Sequence, residues 1–423
     1  MFADPKVPSS AGRDATGMCA ATVEFRHVSK SYDRRDGPAA VDDLTFTVPA
    51  GSVCVLVGPS GCGKTTSLKM VNRLIEPTGG QILVDGTDVA GEEVTALRRR
   101  IGYVIQQVGL FPHRTVGENV TTVPRLLGWS REQQRERAEE LLGLVGLDPA
   151  RYRDRYPAQL SGGERQRVGV ARALAADPPL MLMDEPFAAV DPIVRERLQN
   201  EFLRIQAELA KTILFVTHDI DEAIKMGDLV AVMQAGGHLA QFAPPDEILA
   251  RPASDFVARF VGADRGLKRL SLSRIGALPL HQAVTAVAGE PVGDARQRSL
   301  ADPFPFLLLI DRAGRPLGWL PDRDVPADGI VDERLAIPAS PLLERETTLK
   351  DALSMMIAAD VQAGIVVDPA GRVLGLLTME ALAAAGRAGA AGRAGAAGPA
   401  GAGAALRRVE GRPAATRPPA AAP

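Results

Sequence analysis

The segment Gly58-Pro59-Ser60-Gly61-Cys62-Gly63-Lys64-Thr65, followed by Thr66, sets three glycines, a lysine and a hydroxyl at fixed spacing. Such a loop suits phosphate, because glycines let the backbone wrap closely and turn its N–H groups inward. Lys64 is placed to meet the β- and γ-phosphates of a nucleoside triphosphate, and the Thr65 hydroxyl to ligate Mg²⁺. A glycine-rich turn alone is weak evidence. Here the apolar run Val53–Val57 precedes it and the amphipathic stretch Ser67-Leu68-Lys69-Met70-Val71 follows, which is the strand–loop–helix setting that the chemistry requires.

Two further segments could act on the same phosphates. Leu180-Met181-Leu182-Met183-Asp184-Glu185 is an apolar strand ending in two carboxylates. Asp184 suits the metal shell and Glu185 suits the polarisation of an attacking water. Between this strand and the loop stands Leu160-Ser161-Gly162-Gly163-Glu164-Arg165-Gln166-Arg167, leading into a predicted helix over residues 168–175. Ser161 and the backbone around Gly163 can present a hydroxyl and N–H groups to phosphate at that helix's N-terminus. Taken alone, the same Ser-Gly pair reads as an ordinary N-cap.

The elements that must position these groups alternate. From about Thr22 to Phe260, short apolar runs follow helical segments, as in an α/β domain, with strands expected at Val53–Val57, Ile101–Ile105, Leu180–Met183, Ile213–Thr217 and Leu229–Met233. Continuous apolar runs of this kind fit strands covered on both faces. Residues 1–20 are small and polar, a flexible N-terminus. Between residues 266 and 386 a step of 57 recurs, Asp311 to Asp368 and Gly314 to Gly371, and Pro291-Val292-Gly293-Asp294-Ala295 echoes Thr348-Leu349-Lys350-Asp351-Ala352 at the same offset. Each copy reads as strand, tight Asp/Gly turn, strand, and two copies suggest a packed pseudo-symmetric pair over 266–340 and 341–386. Residues 387–423 are Ala, Gly, Pro and Arg with few large apolar side chains, so a disordered tail is expected.

Composition excludes other classes. Lys+Arg 49 against Asp+Glu 51 argues against a nucleic-acid binder, which normally carries a basic excess. No apolar run approaches the roughly 18–20 residues that span a bilayer, and the N-terminus lacks the apolar stretch of a secretory signal. Cys19, Cys54 and Cys62 form no metal-binding spacing, which fits a reducing compartment.

The order of the motifs then carries a resemblance. With Leu160-Ser161-Gly162-Gly163-Glu164 placed before the Asp184-Glu185 strand, residues Thr22–Phe260 resemble the ATPase of ABC transporters. The resemblance implies a P-loop ABC ATPase domain, a mixed sheet with a helical subdomain, binding ATP and Mg²⁺. It implies that Tyr32 stacks on adenine and that Gln106 joins the metal site to the membrane-subunit contact. Ala188-Ala189-Val190-Asp191 would be the D-loop, and His218 the residue that senses the γ-phosphate. The nucleotide would be held by Tyr32, Gly58 to Thr66, Gln106, Ser161 and Gly163, and the metal by Thr65, Gln106 and Asp184. Lys64, Glu185 and His218 would carry the catalysis. Two departures stand out: Glu164 replaces a frequent Gln, and Ala188 a frequent Ser at the dimer seam.

Within the family, Phe111-Pro112-His113 resembles importer ATPases. Glu185-Pro186-Phe187-Ala188-Ala189-Val190-Asp191-Pro192-Ile193-Val194-Arg195 is similar to the group that imports glycine betaine, carnitine, choline and proline. Thr217-His218-Asp219-Ile220-Asp221-Glu222-Ala223 agrees with that group, as does the 57-residue repeat, which resembles a tandem α+β pair of CBS modules. The CBS pattern is degenerate, with Thr378-Met379-Glu380-Ala381 in one copy and Pro321-Asp322-Arg323-Asp324 in the other. Regulation and a structural, dimer-stabilising role both stay open for it. The implied partners are a second copy in a head-to-tail ATP sandwich, integral membrane permease subunits and, indirectly, an extracytoplasmic substrate-binding protein, at the cytoplasmic face of the plasma membrane. Import of another small solute, and a non-transport role on DNA or ribosomes, are the alternatives.

Overall fold

The structure, a computed structural model, describes residues 20–32, 39–105, 109–187, 192–299, 306–321 and 329–387. The sequence expectations for Gln106, for residues 188–191 and 322–324, and for both termini lie outside these residues.

A six-stranded sheet organises the first two-thirds of the chain. Its order is β10 (His238–Ala243), β9 (Leu229–Gln234), β3 (Val53–Val57), β8 (Thr212–Thr217), β7 (Leu180–Asp184) and β6 (Ile101–Val104). Five strands run parallel and β10 is antiparallel to β9, so the sheet is mixed. Every residue of β3, β7 and β8 is buried, which explains their continuous apolar sequences. Side chains alternate between faces, as the pleat requires. Val53, Val55 and Val57 enter one core with Met181, Met183 and Phe215. Cys54 and Leu56 enter the other with Leu180, Leu182 and Val216.

The second core is closed by an antiparallel sheet in the order β2 (Val41–Val48), β1 (Val23–Lys30), β4 (Gly79–Val84) and β5 (Thr87–Asp88). Phe25 and Phe46 stack within it at 4.6 Å. The helical subdomain spans helices from Val116–Val120 to Gly162–Leu174. Side chains such as Leu141, Leu142 and Leu147 extend the first core into it. Three of its α-helices are started by capping boxes, Thr115 with Glu118, Ser130 with Gln133 and Ser161 with Glu164.

The C-terminal part holds two small sheets. One is β11 (Thr285–Val287), β12 (Phe306–Ile310), β13 (Pro316–Pro321) and β14 (Ile337–Pro338); the other is β15 (Leu342–Glu344), β16 (Ala363–Val367) and β17 (Val373–Thr378). The two hairpins turn by the same chemistry. Asp311 Oδ1 accepts the N–H groups of Ala313 and Arg315, both at 2.8 Å. Asp368 Oδ1 accepts those of Ala370 at 2.9 Å and Arg372 at 2.8 Å. Gly314 and Gly371 close these turns at φ 83° and 78°, in the left-handed region that glycine tolerates. Equivalent residues of the copies meet: Leu308 and Trp319 share a core with Ile365 and Leu376, each pair 57 residues apart.

Residues 266–280 lie before the segments that the 57-residue step relates, and Leu270, Ile275, Leu278 and Leu280 pack in the core of the second copy, with Leu343, Leu349 and Leu377. The helix Arg265–Leu272 also reaches back to the ATPase-like part, where Lys268 Nζ lies 3.2 Å from Asp221.

Candidate functional site

The phosphate-loop geometry follows from where β3 ends. After Val57 the chain turns through residues 58–63 and enters the helix Lys64–Val71, three residues earlier than the apolar pattern suggested. Gly63 caps that helix at φ 92°, and a Cβ there would lie 2.2 Å from the Ala40 carbonyl oxygen. Only glycine fits so close an approach. Ser60 and Gly61 stand exposed on the rim, while Cys62 is buried beneath them. Lys64 is 6% exposed, and its ammonium donates to the Gly58 and Pro59 carbonyls at 2.8 and 2.9 Å, with the Cys62 sulfur at 3.7 Å.

The carboxylates arrive from β7. Thr65 Oγ1 donates to Asp184 Oδ1 at 2.8 Å, so two of the three residues assigned to the metal by sequence stand together, the third, Gln106, lying outside the described residues. Burial holds the Asp184 carboxyl above the ordinary range, offset by the Thr65 hydroxyl and by the charges of Lys69 and Lys64. A buried anion beside a hydroxyl is a hard-oxygen pair. Mg²⁺ characteristically takes one or two carboxylates and fills the rest of its shell with phosphate and water. The donor set therefore fits that metal, and among the described residues no larger cluster of metal-ligating side chains exists.

Glu185, the next residue, sits at φ 44°, a left-handed conformation unusual for its type. Its N–H donates to the Val216 carbonyl at 3.0 Å, which ties the end of β7 to that of β8. This turn swings its carboxylate to 3.3 Å from His218 Nδ1, just past the end of β8. Lys64, Asp184, Glu185 and His218 thus gather at the carboxyl ends of three adjacent parallel strands, where open α/β sheets bind ligands. A phosphate held by Lys64 and the loop N–H groups would face a hydroxyl–carboxylate pair and a carboxylate–imidazole pair.

The remaining predicted residues fall elsewhere. Tyr32 is 64% exposed, with the Lys30 ammonium 5.3 Å from its ring centroid. The Lys30 carbonyl accepts the Ala40 N–H at 2.8 Å, so this strand end borders Gly63. Ser161 is the N-cap of Gly162–Leu174, a helix that starts at Gly162 and not at 168 as its apolar residues suggested. A capping box starts it: Ser161 Oγ accepts the Glu164 N–H at 3.3 Å, and Glu164 accepts the Ser161 N–H at 2.7 Å. Tyr152 also donates to Glu164 at 2.7 Å. The Ser161 N–H and the Tyr152 hydroxyl hold the Glu164 carboxyl below its usual range. Among the described residues no hydrogen bond joins Ser161 or Gly163 to residues 58–66.

Sequence reasoning missed two groups. Asn119 is fully buried and holds the Phe111–Thr115 loop through the carbonyls of Phe111, Arg114 and Thr115. Thr217, Gln199 and Glu222 form a buried polar cluster behind His218. No local sequence pattern marks either group.

With this geometry in view, comparison with known proteins is decisive. The ABC transporter family model matches residues 41–188, and the CBS domain model residues 336–387. The osmoprotectant import ATP-binding protein OsmV of Salmonella typhimurium is 45% identical over 365 residues, which cover 85% of this chain and 95% of that one. This chain is an ABC transporter ATP-binding protein. The choline transport ATP-binding protein OpuBA of Bacillus subtilis is 42% identical, again over 85% of this chain and 95% of its own. Among solved structures, cbiO1 from Clostridium perfringens, part of an ABC transporter complex, is 28% identical at a TM-score of 0.50. It covers 56% of this chain and 93% of its own. As an ABC ATPase the chain binds ATP. No described helix is long and apolar enough to cross a membrane.

Proposed function

We propose that this ABC ATPase energises the import of a quaternary amine osmoprotectant such as glycine betaine, carnitine or choline. The relatives named for osmoprotectant, carnitine and choline transport align along nearly their whole length, repeat region included. That full-length agreement is the observation that carries the reading.

In the hydrolytic site, the loop N–H groups and Lys64 would hold the β- and γ-phosphates, and Tyr32 would stack on adenine. Thr65, Asp184 and Gln106 would hold Mg²⁺, which supplies charge neutralisation to the phosphates. Glu185 orients the water, and the imidazole of His218 keeps that carboxylate in place while contacting the γ-phosphate. Ser161 and Gly163 stand apart from the loop of their own chain. They would complete the site of a second copy in a head-to-tail dimer. Closure on ATP and reopening after hydrolysis would then move permease subunits at the cytoplasmic face of the membrane, indirectly serving an external binding protein. A groove of about 290 Å³ lined by Arg98, Tyr103, Phe111 and Arg172 supports that contact.

The test is ATP hydrolysis by the reconstituted complex with its permease and binding protein. Stimulation by glycine betaine, carnitine or choline is expected. Stimulation by an amino acid alone would reassign the cargo. For the dimer, a Ser161→Arg chain mixed with a Lys64→Ala chain should regain part of the activity that each lacks. Silence with heterodimers demonstrably formed would place each site within one chain.

A further inference from the structure

One buried carboxyl beside the site has no part in the scheme above. Glu222, in the helix Ile220–Met226, is 8% exposed. Its Oε1 accepts from Gln199 Nε2 at 3.0 Å, reaching the helix Pro192–Leu209, and the neighbouring Thr217 hydroxyl favours its charged form. Thr217 Oγ1 in turn accepts the Asp219 N–H at 3.1 Å. The residues on both sides of His218 are therefore tied to one hydroxyl, and that hydroxyl is aimed by Glu222.

We propose that Glu222 is a positioning residue for ATP hydrolysis, holding His218 against Glu185 through Thr217. The inference rests on the role given to His218 above. The cluster's chemistry supports more than packing. Two donors on different elements, an amide and a hydroxyl, converge on one side chain, and a carboxylate offers acceptors to both without a competing donor. Burial opposes the charged form of Glu222, so an apolar side chain would fill the space at lower cost. Arg195 from the facing helix favours its charge and Asp219 on its own flank disfavours it. The imidazole is more than half exposed on its outer side, so its orientation depends on the backbone that Thr217 anchors.

The experiment measures single-turnover and steady-state ATP hydrolysis by the full-length protein. The variants are Glu222→Ala, Glu222→Gln and Thr217→Val, each made alone and combined with His218→Ala. Glu222→Ala and Thr217→Val should each lower kcat about tenfold with KM for ATP within about twofold, as expected when an interaction matters only for the chemical step. Glu222→Gln, which keeps one acceptor, should recover part of the loss. In the His218→Ala background none of the three should cost anything further, because the residue they position is gone. Full activity in Thr217→Val, or a loss from Glu222→Ala that is undiminished in the His218→Ala background, would overturn the proposal and leave Glu222 a packing residue. If His218→Ala is slow and Glu222→Ala is normal, the proposal fails alone. If His218→Ala itself hydrolyses normally, the role of His218 fails, and the proposal with it.

Discussion

Replacing Gly63 by alanine tests whether close backbone approach fixes the phosphate loop. Two costs can be read from the structure. Gly63 lies at φ 92°, where an L-residue costs roughly 1–2 kcal/mol. In addition, the new Cβ would stand 2.2 Å from the Ala40 carbonyl oxygen and 2.9 Å from a Val41 methyl, where 3.4 Å is an ordinary contact. Neither obstacle is the end of a flexible side chain, so the loop or the start of β2 must move by about 1 Å, a displacement that can cost about 100-fold in rate. Because Gly63 directly precedes Lys64 and Thr65, the shift falls on both phosphate-facing groups. Gly86 supplies the control, since it sits at φ 74° in the turn between β4 and β5 with no heavy atom within 4 Å of an added Cβ. Gly86→Ala should lose roughly 1–2 kcal/mol in urea unfolding and keep its ATPase activity. Gly63→Ala should lose more stability than this, bind a fluorescent ATP analogue weakly, and hydrolyse ATP about 100-fold more slowly. If both variants unfold alike and hydrolyse alike, steric approach at Ala40 does not set the position of Lys64 and Thr65.

Other expectations concern single groups. Glu185→Gln should retain ATP binding, lose hydrolysis by about 100-fold or more and accumulate a closed dimer by size-exclusion chromatography; near-normal single-turnover rates would remove Glu185 from the mechanism. Tyr32→Ala should weaken ATP binding by about 1–3 kcal/mol in a titration, the range for base–aromatic stacking, and an unchanged affinity would return Tyr32 to an ordinary strand-end residue. Burial raises the Glu222 carboxyl above its ordinary 4.5, so in the window above that value the folded chain holds a proton that the unfolded chain releases, and folding stability falls as pH rises through it. Glu222→Gln has no such titration, so its stability relative to the parent should improve from about pH 4.5 upward in paired urea melts; a flat difference would contradict this assignment.

Much of the ATPase fold was legible because its central strands are apolar throughout, as burial on both faces requires. Strand ends moved by a residue or so. The Gly162–Leu174 helix began earlier than expected because Gly162 and Gly163 are poor helix formers, and the Ser161–Glu164 box overrides that weakness. The loop, Asp184 and Glu185 were legible because phosphate chemistry restricts residue type and spacing together, whereas His218 was named only through the family resemblance. Their convergence follows from the ends of β3, β7 and β8. By contrast, Gln199, Thr217 and Glu222 lie on three elements and meet only through tertiary packing, so no local pattern announces them. The core that residues 266–280 join was not legible for a related reason. A repeat step fixes which segments are alike but says nothing of which core a connecting segment joins, and Leu270 and Ile275 complete the second copy's.

The clasp around Lys64 bears on how nucleotide recognition is divided between folding and binding. Its ammonium is nearly dry and is held by two carbonyls of its own loop. Stripping water from a lysine is expensive, and here that expense falls on the folding of the domain. When a triphosphate arrives, the lysine exchanges neutral oxygens for charged ones and moves only within its own loop. Affinity then reports the difference between two sets of acceptors, and the freed Gly58 and Pro59 carbonyls must find new partners in the bound state. A loop built this way discriminates by charge: an uncharged hydrogen-bond acceptor offers the lysine nothing that the backbone does not already provide.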